Sequence, residues 1–306
     1  MKHERMHGLE KVQVEVAAAA ALAAVYFGLA PAVAPADPLA PIVFLPFGEF
    51  GRLVIFLLGL CSLGAVCAII TISSRKEGAL LAVLIGAGGV SLRSPSIRPL
   101  LWEHGASLDR LYFTLAGEVL LLWCGLVVAS LVIDAVQAIL GRLCPQWAWK
   151  SPLSEITNGP GAAEGKPARS EAVQALSCAG MGLVLSVILL KLLLQSSDRG
   201  QILFALAGAF AIGCLIASQL FPTRYGIAAW GVPVVAAAVF YTLAAVARFT
   251  PPPIGWIKVP EHSCPLPVDW LSAGGGGAVL GYWISSRLHE LRVLERDEKD
   301  AHAAEE

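Results

Sequence analysis

The sequence predicts an all-α polytopic membrane bundle of about eight spans, in a possible four-plus-four layout, with both termini cytoplasmic. Three observations carry this. The 306-residue chain is 56% hydrophobic, with mean hydropathy +0.68. Only 15% of its residues are charged, against roughly 25% in soluble domains, which need charge to cover a wetted surface. Its apolar residues also gather into runs close to the ~20 residues that a helix needs to cross ~30 Å of hydrocarbon. These runs are too long and too uniformly apolar for barrel strands, which alternate over ~10 residues.

The first run, 12–34, follows Lys2, Arg5 and Lys11 and is stopped by Pro35 and Pro38. Basic residues before an Ala-rich stretch also fit a cleavable leader. Pro35 directly after Ala34 disfavours cutting there, so the run is read as an uncleaved span. The second run, 53–72, is closed by SSRKE. The third, 78–92, is short, rising only about 22 Å at 1.5 Å per residue. The fourth, 111–140, completes a first group of helices within 1–140. A Gly-, Pro- and charge-rich stretch, 141–170, reads as a flexible cytoplasmic linker. The second group occupies 171–286, with runs at 172–195, 201–221, 226–247 and 269–286. A charged tail, 287–306, should extend the last helix into the cytoplasm and rest on the membrane surface through Arg287 and Arg292.

Sidedness follows from lysine and arginine, which favour the cytoplasmic loops. If the third run crosses, 14 of the 22 lie on the side of the N-terminus and 7 lie opposite, with Lys191 inside a span. A re-entrant third run would give 11 against 10, so the biased arrangement is preferred. Seven of the eight tryptophans, all but Trp123, fall near run ends, where an amphipathic ring favours the lipid interface. A short echo, AAVYFGLA at 23–30 with ISSR at 72–75 against AAVFYTLA at 237–244 with ISSR at 284–287, hints at duplication.

Ionisable side chains within a span cost roughly 2.5–3.5 kcal/mol at its centre and are candidates for function. Three qualify: Glu118, Asp134 and Lys191. Glu118 and Asp134 are sixteen residues apart, about 24 Å along one helix, too far for a catalytic pair. They fit stepping stones for a proton or cation. The plain alternatives are a hydrogen-bonded carboxyl for Glu118, an interfacial position for Asp134 and a snorkelling Lys191.

Glycines on the third run (Gly86, Gly88, Gly89) and the last (Gly274, Gly277, Gly281) allow close helix approach or local unwinding. Pro233 should kink the seventh span. His104, His262 and Cys264 share one face and are ligand types for a transition metal, but nothing in their spacing requires them to meet. No metal site or cofactor is expected. The seven cysteines form no CxxC pair and no disulfide framework.

The sequence lacks GxSxG, HExxH and a phosphate-binding glycine loop, so an enzyme is the less favoured class. A net charge of −1 gives no field for nucleic acid. Expected partners are the lipid bilayer and a membrane protein or a second copy, in a bacterial inner membrane. Permeation of a small solute or ion is the first functional reading. A non-catalytic subunit or scaffold is the second, and a membrane-embedded enzyme the third.

Overall fold

A computed structural model describes residues 2–105, 107–144, 168–223, 226–247 and 259–305, with side chains described for 10–105, 107–144, 171–223, 226–247 and 259–292. Among the described residues every element of regular structure is helical. Helix α1 (Lys2–Ala24) passes through a π-helical turn (Val25–Leu29) into α2 (Ala30–Val33). The first half continues with α3 (Phe50–Ile70), α4 (Lys76–Arg93), the short α5 (Arg98–Glu103) and α6 (Leu108–Leu143). The second half holds α7 (Ala168–Leu193), α8 (Arg199–Leu220), α9 (Ile227–Trp230) and α10 (Val232–Val246). It ends with α11 (Pro267–Asp269), a π-helical turn (Trp270–Gly274) and α12 (Gly275–Glu305).

Among the described residues six stretches are long and apolar enough to cross a membrane: Glu10–Val33, Phe50–Ile70, Leu108–Leu143, Glu171–Leu193, Arg199–Leu220 and Ile227–Val246. The shortfall against the eight expected lies in α4 and α12. Helix α4 has 18 residues and carries Lys76, Glu77 and Arg93 at its ends. Helix α12 turns polar after Ile284 and is preceded by the π-helical turn. Both are wrapped by the other helices, and twelve of the α4 residues are buried.

Side-chain contacts define two ends of the bundle. At one end, Glu10 of α1 pairs with Arg287 of α12, Arg75 before α4 pairs with Glu290 of α12, and Lys76 meets Asp134 of α6 at 3.3 Å. We call this the tail face. At the other, the loop face, the Ser94 hydroxyl after α4 accepts the Ile42 N–H at 2.9 Å. Arg98, the first residue of α5, donates to Ser197 before α8 at 2.6 Å.

Glycines set how the helices pair within each half. A Cβ on Gly86 would lie 3.0 Å from Ala21 Cβ, and one on Gly89 3.0 Å from Tyr26 N, so α4 lies directly on α1 and its π-turn. A Cβ on Gly277 or Gly281 would run into the Ala207 or Ala211 carbonyl, so α12 lies as closely on α8. Without a hydrophobic driving force between helices in lipid, such backbone approach supplies much of the attraction. Gly274 sits against Pro233, whereas Gly88 faces open space. The glycine run stays helical from Gly275 onward, and the irregular turn lies just before it.

Several expectations are corrected. The seventh expected span divides at Gly231, two residues before Pro233, which stands in the first turn of α10. Trp270 and Trp230 are buried among helices rather than at a lipid interface, 0% and 7% exposed. Arg287 turns inward to Glu10 and Glu290, and Arg292 donates to Gln219 at 2.9 Å. The two ISSR copies fold differently, one at the turn after α3 and the other within α12. All seven cysteines are free. Trp147, Trp149, Trp256 and nearly all of the 141–170 linker lie outside the described residues.

Candidate functional site

Glu118 sits ten residues into α6, about 15 Å from its start, and is wholly buried. Its position is explained by the loop after α2. Residues 34–49 do not stay outside: Ile42, Val43 and Phe44 are buried, and Phe44 packs against Phe56 of α3 at 5.7 Å between ring centroids. Backbone entering a helical core carries N–H groups that need partners. Glu118 Oε2 accepts the Phe44 N–H at 2.8 Å and the Leu45 N–H at 2.9 Å. Gly48, with φ +68°, then reverses the chain into α3 in a conformation that favours glycine.

Glu118 therefore acts as a clasp on a re-entrant loop. Glu118→Ala should cost about 1–3 kcal/mol for each amide left unpaired, whereas Glu118→Gln, which keeps a carbonyl oxygen, should cost much less. Thermal unfolding in detergent checks this. A proton-relay role would instead make Glu118→Gln lose flux at unchanged stability.

Asp134 and Lys191 are placed differently. Asp134 is exposed at the tail face and paired with Lys76; such solvent-accessible pairs contribute at most about 1 kcal/mol. Lys191 is exposed near the loop face, close enough to His262 to act on it electrostatically. His262 lies on the Phe240 ring at 4.6 Å, and His104 on that of Phe47 at 6.4 Å. Burial, and then Lys191, hold His262 below its usual range, while burial pushes the Cys264 thiol up to about 11. A protonated thiol is a poor metal ligand. Among the described residues no three His, Cys, Asp or Glu side chains gather to hold a metal.

A second largely buried polar group joins residues that sequence reasoning passed over. Asp269, 0% exposed, closes α11 and meets the guanidinium of Arg199, the first residue of α8, at 2.5 and 2.8 Å. Asp269 Oδ2 also accepts the Leu266 N–H at 2.7 Å. Arg199 then crosses to the first half, donating to the Ser91 carbonyl of α4 at 2.6 Å. Ser272 spends its proton on the Val268 carbonyl at 2.7 Å, so the 2.9 Å contact between the two hydroxyls has Ser91 as donor. This seam lies where α4 meets the π-helical turn.

Aromatic rings back the seam. Trp270 is in contact with Phe210, Phe240 and Tyr241, and Tyr241 with Tyr112 of α6, at centroid distances of 5.9–6.5 Å. Tyr241 donates to the Pro265 carbonyl. Among the described residues, Tyr112 Oη and Glu118 Oε1 have no hydrogen-bond partner although both are buried. Searches against family models, curated proteins and solved structures give no match to this chain.

Proposed function

We propose that the protein is a multi-pass carrier or channel for a small polar solute, with the solute's route along the seam between α4 and α12. The observation that carries this reading is the polar set of buried Ser91, Asp269 and Ser272 with the partly buried Arg199. It lies at the junction of the two halves, beside a helix interrupted by a π-helical turn. Polar side chains are expensive inside a membrane bundle and mark solute or ion pathways. Discontinuous helices at the junction of two halves are a recurring way of building a transporter site. In this reading α4 and α12 also cross the bilayer. Ion pairs at one end of each and hydrogen bonds at the other support eight crossings. The 14-to-7 bias of basic residues favours a cytoplasmic tail face, and short loops suit a bacterial inner membrane.

The second reading, a non-catalytic subunit, is favoured by one feature. Glu118, a fully buried carboxylate within a long apolar helix, is occupied with holding the 34–49 loop. Proteoliposomes assayed by stopped-flow light scattering distinguish the two. Against a panel of amino acids, polyols and monovalent salts, at least one solute should equilibrate faster than in empty vesicles. Ser272→Leu, which fills the seam, should abolish that difference. No flux with any solute, together with a stoichiometric partner retained in mild detergent, would favour the subunit.

A further inference from the structure

The two halves are tied across the central pair at both ends, and the ties differ from the contacts between them. At the loop face the crossing is polar: Arg199 to the Ser91 carbonyl, and Ser91 to Ser272, with Asp269 fixing the guanidinium. At the tail face it is ionic: Arg75 with Glu290, and Arg287 with Glu10. Between these ends the contact is apolar and smooth, with Leu84 of α4 resting on Gly275 and Gly276. Within each half the packing is backbone-close, α4 on α1 through Gly86 and Gly89 and α12 on α8 through Gly277 and Gly281.

We propose that the two ties are alternating locks, one for each face, and that each central helix rocks together with the outer helix to which its glycines bind it. The inference rests on the permeation reading, whose route would be opened from one face at a time. Three physical points support it. The tail-face lock consists of buried ion pairs, which add little net stability because desolvation offsets their attraction. The loop-face crossing is two hydrogen bonds, each of modest net strength, so either lock can open without unfolding its surroundings. Both locks are incompletely satisfied: Arg199 Nε at one end and Glu10 Oε1 at the other have no hydrogen-bond partner, which brings the closed state nearer in energy to an open one. Glycine-close packing of α4 on α1 and of α12 on α8 favours movement of each pair as a unit over local bending, about the broad apolar contact of α6 with α10 that joins the halves. The aromatic contact of Tyr112 with Tyr241 is the natural pivot.

The test uses Leu84→Cys, a buried reporter midway between the locks, in a chain whose native cysteines are replaced by alanine. The protein is placed in sealed vesicles of known orientation and labelled with a membrane-impermeant maleimide. Labelling should be slow with both locks intact. Asp269→Asn should accelerate it on the order of tenfold from the loop face only, and Glu290→Gln from the tail face only. Asp269→Glu, which keeps the charge, should stay closer to the parent rate. Equal acceleration from both faces, or none from either, overturns the proposal.

If the charge variants do not fold, Ser91→Cys with Ser272→Cys supplies the same test, because those hydroxyls lie 2.9 Å apart. The oxidised pair should suppress loop-face labelling of the reporter and raise it from the tail face; unchanged rates overturn the locks. Flux on the same vesicles separates the two readings. Side-selective labelling without flux removes permeation and keeps the locks, whereas flux with unchanged labelling does the reverse.

Discussion

Gly281→Ala should be among the most damaging single-methyl additions in this protein, lowering stability on the order of 3 kcal/mol. The added carbon would overlap the Ala211 carbonyl oxygen and lie 2.9 Å from Leu215 N. Neither neighbour is the end of a flexible side chain. Both belong to the backbone of α8, so relief requires the two helices to part. Parting is costly in lipid, where close van der Waals contact supplies much of the attraction between helices. Gly88→Ala is the control. It adds the same methyl to a position with no atom within 4 Å, and helix propensity alone should stabilise it by up to about 1 kcal/mol. Apparent unfolding temperatures in one detergent compare the pair directly. Equal effects of the two substitutions would mean that α8 and α12 are not in backbone contact. Glycine at 281 would then be a matter of local conformation.

Which of these features could be read from the chain follows from what each one rests on. Apolar runs specify the six long helices because length and hydropathy are properties of a single segment. Glu118 was also legible, as a carboxylate inside such a run. Its task was not, because its partners are the backbone amides of Phe44 and Leu45, 74 and 73 residues away, and backbone amides leave no mark on a sequence. Arg199 and Asp269 were missed for a different reason. Each stands at the edge of an apolar run, where a charge reads as a wetted loop residue. Only the folded chain brings the two edges together, across 70 positions. Ser91 and Ser272 are short hydroxyl side chains of a kind that spans tolerate freely, so composition does not single them out. The glycines of α4 and α12 did signal close packing, though not which helix each would meet, and Gly88 meets none.

Asp269→Ala should destabilise the bundle by about 3–5 kcal/mol, the range for breaking a buried ion pair by removing one partner. Two losses contribute: the Arg199 guanidinium is left without its counter-charge, and the Leu266 N–H loses its acceptor. Arg199 is 21% exposed in its side chain, so water can reach part of it, which places the expected cost toward the lower end. Arg199→Ala should be at least as harmful, since it strands a carboxylate that is fully buried. The informative variant removes both. Arg199→Met with Asp269→Leu deletes the pair and fills its place with apolar volume, which is often neutral for buried ion pairs. The double variant should therefore unfold at a higher temperature than either single replacement, with a coupling of about 0.5–3 kcal/mol across the cycle. Raised salt should change these differences little, because a buried pair is weakly screened. Simple additivity of the two losses would mean that the charges do not act on one another in the membrane. In that case Arg199 is held by the Ser91 carbonyl alone, and the link it makes across the halves does not depend on Asp269.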